Sequence, residues 1–263
     1  MSNVDSFAEL VKVMARLRAA DGCPWDREQT HASLKPYLLE EAYEALEAID
    51  VGDDGELCKE LGDVLLQVVF HAQIAGEEGR FSIDDVARAI VDKLIHRHPH
   101  VFGDLEVDGA DQVVTNWERI KQEERCGKDR QPSVLDGVPK QLPALLRAQR
   151  IQGKASRVGF DWDEIAGPLA KVEEEFAELR KAMEVGSAAE IEEEFGDLLF
   201  ALVNVGRFLK VAPEDTLRRA VEKFERRFRQ VEETARTQGR DLQEMSMQEM
   251  DQIWNQIKKN KSS

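Results

Sequence analysis

Residues 192–200, EEEFGDLLF, place a glycine and an aspartate at the start of a nearly unbroken apolar run. Residues 59–70, KELGDVLLQVVF, repeat this arrangement earlier in the chain. Such an apolar run is typical of a buried segment, where a charged aspartate is unfavourable unless it has a partner or a ligand. The positions of Asp63 and Asp197 therefore need an explanation from the rest of the sequence.

The two stretches belong to a duplication. When the sequence is shifted by 134 residues, Glu40, Glu41, Glu44, Glu60, Gly62 and Asp63 fall on Glu174, Glu175, Glu178, Glu194, Gly196 and Asp197. Further residues keep their order with a slightly different offset: Lys93, Arg97, Trp117 and Lys121 correspond to Lys223, Arg227, Trp254 and Lys258. Because residue types and order are both kept, the chain is predicted to be a tandem repeat.

The hydrophobic periodicity is helical nearly throughout, without a convincing alternating strand. It predicts an all-α protein that is a tandem repeat of two helical-bundle domains. Residues 126–143 contain three prolines and several turn-forming residues, which predicts a linker. The expected domains are therefore residues 1–125 and 144–263.

Composition restricts the class of protein. The formal net charge of −16 argues against a general nucleic-acid or anionic-membrane binder. The N-terminus does not resemble a signal peptide, and no segment approaches the roughly 20 apolar residues of a membrane span. Three scattered cysteines form no CxxC pair. We therefore expect a cytoplasmic protein that binds neither nucleic acid nor membrane.

The repeated carboxylates form an E-x-x-E pair and an E-x-x-D pair in each half. Residues three apart share a helix face, and a turn at Gly186–Ser187, or at residues 51–55, would bring the two pairs together in a hairpin. Four unpaired carboxylates repel one another, and a divalent cation relieves this repulsion. The predicted metal ligands are Glu175, Glu178, Glu194 and Asp197, with a second set at Glu41, Glu44, Glu60 and Asp63.

The second half contains neither histidine nor cysteine, so it offers only oxygen ligands. This favours Mg²⁺, with Mn²⁺ as a substitute, over zinc. Glycine is unfavourable inside a helix by about 1 kcal/mol. At Gly62 and Gly196 we expect this cost to be justified by the close approach of a neighbouring helix or a ligand.

Basic and aromatic residues complete the pattern in the second half. Lys223 and Arg227 lie four apart on one helix face, as do Trp254 and Lys258. Cationic side chains neutralise phosphate charge, and a tryptophan stacks on a base or ribose. Together with a metal centre, they predict metal-assisted hydrolysis of a nucleotide polyphosphate.

The sequence also resembles the MazG family of nucleoside triphosphate pyrophosphohydrolases, in the all-α NTP pyrophosphatase superfamily. The matching segments cover almost the whole chain and include GCPWD (22–26), LLEEAYEALEAI (38–49), ELGDVLLQVVFHAQ (60–73), RHPHVFG (97–103) and EKFERRFRQVE (222–232). The resemblance implies Mg²⁺-dependent hydrolysis of an NTP or dNTP, with broad specificity, to the monophosphate and pyrophosphate. It also implies a homodimer.

The resemblance implies roles for particular residues. Lys223, Arg227 and Lys258 would hold the phosphates, and Trp254 would contact the nucleoside. Lys171, Glu190 and Glu193 would lie near the nucleotide. Glu175 would take part in catalysis as a metal ligand, and Glu174 would help to activate the water that attacks the α-phosphorus. The corresponding nucleotide-binding set of the first half is Lys93, Arg97, Trp117 and Lys121.

The second half is expected to be the main catalytic one, because Pro99 should end the first half's helix just after Arg97. Two alternatives stay open. One is a module that binds Mg²⁺ and NTP as a sensor with little turnover, and the other is a narrower pyrophosphatase acting on dUTP or phosphoribosyl-ATP.

Overall fold

The computed structural model describes residues 5–125 and 133–259. Every regular element in these ranges is a helix, and the chain divides into two compact units, Met1–Glu124 and Arg125–Ser263. The predicted all-α tandem arrangement is confirmed. Within the predicted linker, residues 126–132 lie outside the described residues, whereas residues 133–143 form turns without a helix.

The first unit is built around a helical hairpin. Its helices are α1 (Ser6–Leu17), α2 (Pro24–Glu28), α3 (Lys35–Val51), α4 (Asp54–Glu77), α5 (Ile83–Arg97), α6 (Pro99–Phe102) and α7 (Ala110–Arg125). Gly52 ends α3 with a φ of 75°, which glycine adopts without strain, and Asp53 caps α4 by accepting from the amides of residues 55 and 56. This tight turn brings α3 and α4 together as a hairpin.

The core of the first unit lies where α1 and the second half of α4 meet. Met14 packs there with Val69, Phe70 and Ile74, and Leu34 joins them from the segment before α3. All five side chains are at most 4% exposed. This packing fixes α4 at its C-terminal half and leaves its N-terminal half, with Glu60 and Asp63, beside α3.

The second unit repeats the hairpin. Its helices are α8 (Ala144–Ser156), α9 (Ala166–Val185), α10 (Ala188–Phe208), α11 (Pro213–Thr237) and α12 (Met247–Lys259), with a short 3₁₀ helix at Leu242–Glu244. The turn between α9 and α10 consists of Gly186 and Ser187, and Ser187 forms a capping box with Glu190. A separate apolar cluster of Val231, Ala235, Met245 and Ile253 holds α12 against α11.

Two local expectations have different outcomes. Helix α5 ends at Arg97, as Pro99 predicts, whereas α11 continues to Thr237. No other helix of the chain lies close to Gly62 or Gly196, because a Cβ built at either position meets no atom within 4 Å, and the approach of a ligand stays a prediction. Both glycines border open space.

None of the helices that the structure describes is both long and apolar enough to cross a bilayer.

Candidate functional site

The hairpin of the second unit brings three predicted metal ligands together. Carboxylate oxygens of Glu175 on α9 and of Glu194 and Asp197 on α10 all lie within 4.8 Å of one another. Glu175 is only 5% exposed, so its charge is largely removed from water. An arrangement of this kind can hold a divalent cation through oxygen ligands.

Glu178 lies outside this close group but contributes to its charge. Partial burial raises the pKa of Glu194, and the nearby carboxylates of Glu178, Glu175 and Asp197 raise it further. Ionisation of every carboxylate in the site is therefore unfavourable unless a cation balances the negative charge.

Lys171 supplies one such cation from α9 itself. Its Nζ lies 2.6 Å from Oε1 of Glu175 and 3.0 Å from Oε1 of Glu174. The two carboxylates raise the pKa of Lys171, so the ammonium stays charged at neutral pH. Glu174, the predicted activator of water, is thus tied to the same lysine as the buried Glu175.

The first unit contains the corresponding cluster. Oxygens of Glu41 on α3 and of Glu60 and Asp63 on α4 lie within 4.8 Å of one another. Burial raises the pKa of Glu41, and the nearby carboxylates of Asp63 and Glu44 raise it further. The pKa of Glu60 is raised by burial first and then by Glu44. As in the second unit, the fourth predicted ligand, Glu44, acts on this cluster from just outside it.

Gln67 is a residue of this site that the sequence analysis missed. It is 5% exposed, its side chain forms a hydrogen bond with Glu41, and its Oε1 has no partner. The available signal was a single polar residue within the apolar run VLLQVVF, one helical turn after Asp63. A shift of 134 residues places Ala201 at the equivalent position of the second unit.

The basic and aromatic residues of the second unit form another group, on α11 and α12. The Arg227 guanidinium carbon lies 5.9 Å from the Trp254 ring centroid, and Lys258 Nζ lies 5.7 Å from it. Arg227 Nε is buried without a hydrogen-bond partner. Within the part of the chain that the structure describes, neither Lys223 nor Arg227 forms an ion pair.

The equivalent residues of the first unit have different partners. Arg97 donates two hydrogen bonds to Glu124, at 3.1 and 2.5 Å, and Lys93 contributes to lowering the pKa of Glu124. The Trp117 ring lies edge-on against His98, 5.0 Å between centroids, and its Nε1 is buried without a partner. The basic residues of this unit are therefore partly neutralised by the protein itself.

The structure does not join the carboxylate group to the basic group in the second unit. Among the described residues, no hydrogen bond or ion pair connects Glu175, Glu194 or Asp197 with Lys223, Arg227 or Lys258. Glu190 uses its carboxylate in the capping box, at 2.5 Å from the Ser187 amide, and Glu193 is exposed beside Glu194. The nucleotide contacts of Glu190 and Glu193 stay predictions.

Comparison with known proteins gives a family model and close relatives. The model of the MazG nucleotide pyrophosphohydrolase domain matches twice, at residues 29–102 and 167–232. The chain is 51% identical over 252 residues to the nucleoside triphosphate pyrophosphohydrolase/pyrophosphatase MazG of Thermotoga maritima, covering 96% of this chain and 95% of that protein. It is 47% identical over 262 residues to the nucleoside triphosphate pyrophosphohydrolase of Escherichia coli K12, covering 98% of both.

The two matched segments contain the two carboxylate hairpins, one in each unit. The relatives match over nearly the full length of both chains, so the likeness is not confined to one repeat. This chain therefore belongs to the MazG nucleotide pyrophosphohydrolase family.

Proposed function

We propose that this protein hydrolyses nucleoside triphosphates, NTP or dNTP with broad specificity, to nucleoside monophosphate and pyrophosphate. The observation that carries the proposal is the convergence of Glu175, Glu194 and Asp197 within 4.8 Å on the α9–α10 hairpin. The names of the relatives from Thermotoga maritima and Escherichia coli support the reaction.

The donor set fits a hard divalent cation. Glu175, Glu178, Glu194 and Asp197 offer only carboxylate oxygens, which suit Mg²⁺ or Mn²⁺ better than zinc. Burial, and then the neighbouring carboxylates, raise the pKa of Glu194, and a cation would compensate these negative charges. When bound, the ion would polarise the phosphate oxygens and make an oxygen nucleophile more acidic.

The protein's own residues would bind and orient the substrate. Lys223, Arg227 and Lys258, which lie on two neighbouring helices, would neutralise phosphate charge, and Nε of Arg227 is a buried donor without a partner. The indole of Trp254 would stack on the nucleoside. Glu174 would accept a proton from the water that attacks the α-phosphorus, once Lys171 turns from Glu174 and Glu175 towards the phosphates.

We assign the main catalytic site to the second unit. Lys223, Arg227 and Lys258 have no acidic partner among the described residues, whereas Arg97 of the first unit is held by Glu124. An arginine that is already paired binds phosphate less readily, because the existing hydrogen bonds must first be lost. The same contact favours a second role for the first unit, that of a regulatory module that responds to the metal ion.

We also propose that the protein is a homodimer. The hairpins leave large apolar side chains exposed within the single chain, among them Leu39 and Leu61 of the first unit and Phe176 and Phe195 of the second. Exposed apolar surface on this scale is typical of an interface. Light scattering after gel filtration should give twice the 29.8 kDa mass of one chain, and a single-chain mass at micromolar concentration would contradict the dimer.

The reaction is tested by measuring pyrophosphate release from a panel of NTPs and dNTPs, with Mg²⁺, with Mn²⁺ or with EDTA. Glu175→Gln should abolish release and Glu41→Gln should leave most of it, while Glu184→Gln, an exposed change on the same helix α9, serves as the control. Equal losses from the first two variants would assign catalysis to both units. Orthophosphate as the product, or nucleotide binding without turnover, would overturn the proposed reaction.

A further inference from the structure

The two carboxylate clusters differ in one charged neighbour. In the second unit, Lys171 Nζ lies 2.6 Å from Oε1 of Glu175, whose side chain is 6% exposed. The same Glu175 offers an oxygen to the group formed with Glu194 and Asp197. The lysine and a cation in that group would therefore compete for one buried carboxylate.

The first unit has no lysine at this place. A shift of 134 residues aligns Lys171 with Tyr37, whose ring packs edge-on against Trp25 at 5.8 Å between centroids. In the described parts of the chain, no lysine or arginine forms an ion pair with Glu41, Glu60 or Asp63. No ion pair among the described residues therefore balances the negative charge of this cluster, since Lys59 pairs with Glu56.

The first unit instead supplies a neutral oxygen. Gln67 is 5% exposed, and while its amide group bonds to Glu41, its Oε1 has no hydrogen-bond partner. A buried acceptor without a partner is unfavourable. An ion, or a water molecule bound to an ion, would satisfy this atom. The equivalent Ala201 offers no such group.

We propose that the first unit binds a divalent cation on its own, whereas the second unit binds the cation only together with a nucleotide, because Lys171 holds Glu175 until phosphate oxygens replace that carboxylate as its partner. This inference rests on the proposed metal centre and assigns a different binding order to each unit. Lys171 acts here as a positioning residue.

The physical basis is the strength of a charge-assisted hydrogen bond to a buried group. A free cation in the second unit would either share the Glu175 carboxylate with the ammonium, whose positive charge repels the ion, or displace the lysine without offering it a new partner. A nucleotide arriving with the cation offers phosphate oxygens to the lysine. By thermodynamic linkage, the nucleotide then increases the affinity for the ion, and the ion increases the affinity for the nucleotide.

The test measures Mn²⁺ binding to the full chain by electron paramagnetic resonance. The measurement is made once without nucleotide and once with an α,β-methylene NTP analogue that is not hydrolysed. Without the analogue, we expect one tight ion per chain, which Glu60→Gln removes and Glu194→Gln retains. With the analogue, we expect a second ion, which Glu194→Gln removes.

Exchanging the residue types at the equivalent positions Lys171 and Tyr37 provides a sharper test. Lys171→Met should tighten nucleotide-free binding in the second unit by at least about tenfold. Tyr37→Lys should weaken binding in the first unit. Lys181→Met, an exposed change on the same helix α9, is the matched control and should change neither affinity. Circular dichroism and the unfolding midpoint verify that each variant is folded.

Two results would overturn the inference. Two ions of equal affinity in the parent without nucleotide, unchanged by Lys171→Met, would refute the role of the lysine while leaving the proposed enzyme intact. No Mn²⁺ binding to either unit, with or without the analogue, would refute the metal centre of the proposed function and this inference with it.

Discussion

Arg97 donates two hydrogen bonds to Glu124, from Nε at 3.1 Å and from Nη2 at 2.5 Å. These bonds link α5 to α7 and hold the guanidinium that corresponds to Arg227 of the second unit. In the second unit, the guanidinium lies over Trp254 with a buried Nε that has no partner. The two units therefore present the same residue types in different electrostatic states.

Glu124→Gln should release Arg97 for phosphate binding. We expect the variant to bind a second non-hydrolysable nucleotide per chain, because the guanidinium loses its two hydrogen bonds to the Glu124 carboxylate. Equilibrium dialysis with a labelled analogue counts the sites in the parent and the variant. Glu106→Gln, an exposed change before α7, is the control, and an unchanged count in Glu124→Gln would show that Glu124 does not restrain this unit.

Trp254 should report nucleotide binding directly. Arg227 and Lys258 lie on its ring in the structure, so a stacking base must rearrange them and change the indole environment. We expect nucleotide to quench tryptophan fluorescence in the parent and not in Trp254→Phe, although three other tryptophans remain. Trp254→Leu should weaken affinity by about 1–3 kcal/mol, the general range for one stacked base.

Trp162→Phe is the comparison for this experiment, because Trp162 packs against Gly167 within the second unit. Its removal should lower the total fluorescence and leave the nucleotide-dependent quenching in place. If quenching disappears in Trp162→Phe and persists in Trp254→Phe, the assignment of the nucleoside contact to Trp254 is wrong.

Much of the carboxylate geometry was predictable because it depends on local spacing. Residues three apart on a helix share a face, and the Gly186–Ser187 turn closes the hairpin, so Glu175, Glu194 and Asp197 meet as the pattern predicts. The partners of single charged residues were not predictable in this way. Lys171 has several acidic neighbours in the sequence. Its ion pair with Glu175 stands out because that carboxylate is buried, which the sequence does not show.

Contacts between residues far apart in the sequence could not be predicted from its pattern either. Arg97 and Glu124 are 27 positions apart, and their pairing depends on how α5 and α7 pack. The unpartnered oxygen of Gln67 depends on which face of α4 is buried. The open surroundings of Gly62 and Gly196 within the chain have the same origin, because a sequence shows that a small residue is present but not what lies beside it.

Gly196→Ala should affect the stability of the protein and its activity differently. The Cβ would enter open space inside α10, so better helix propensity should raise the free energy of unfolding by about 0.5–1 kcal/mol. If a ligand or a second copy approaches this glycine, pyrophosphate release should fall despite the gain in stability. Urea unfolding in EDTA and the pyrophosphate assay measure the two effects.

Gly153→Ala is the matched control for this change. Gly153 also lies inside a helix, α8, and its added Cβ likewise meets no atom within 4 Å. We expect the same gain in stability with full activity. Full activity in Gly196→Ala as well would mean that no close approach requires the glycine in α10.

The stability of the first unit should fall in mild acid because of His71. Its Nδ1 lies 2.7 Å from Nδ1 of His31, and Arg80 donates to Nε2 of His31 at 2.5 Å. The proton of His31 is therefore on Nδ1, which donates to His71. Burial, and then the proximity of His31, lower the pKa of His71. A protonated His71 would place its own Nδ1–H against the Nδ1–H of His31.

The sign of the effect follows from the lowered pKa. Above about pH 6.5, the ordinary histidine value, His71 is neutral in both the folded and the unfolded chain. Below it, the unfolded chain binds a proton that the folded chain does not, so the free energy of unfolding decreases as the pH falls. His71→Gln should therefore lose less stability than the parent between pH 7.5 and 5.5, as measured by urea unfolding. Equal pH dependence in His71→Gln and in the parent would exclude His71 as the cause.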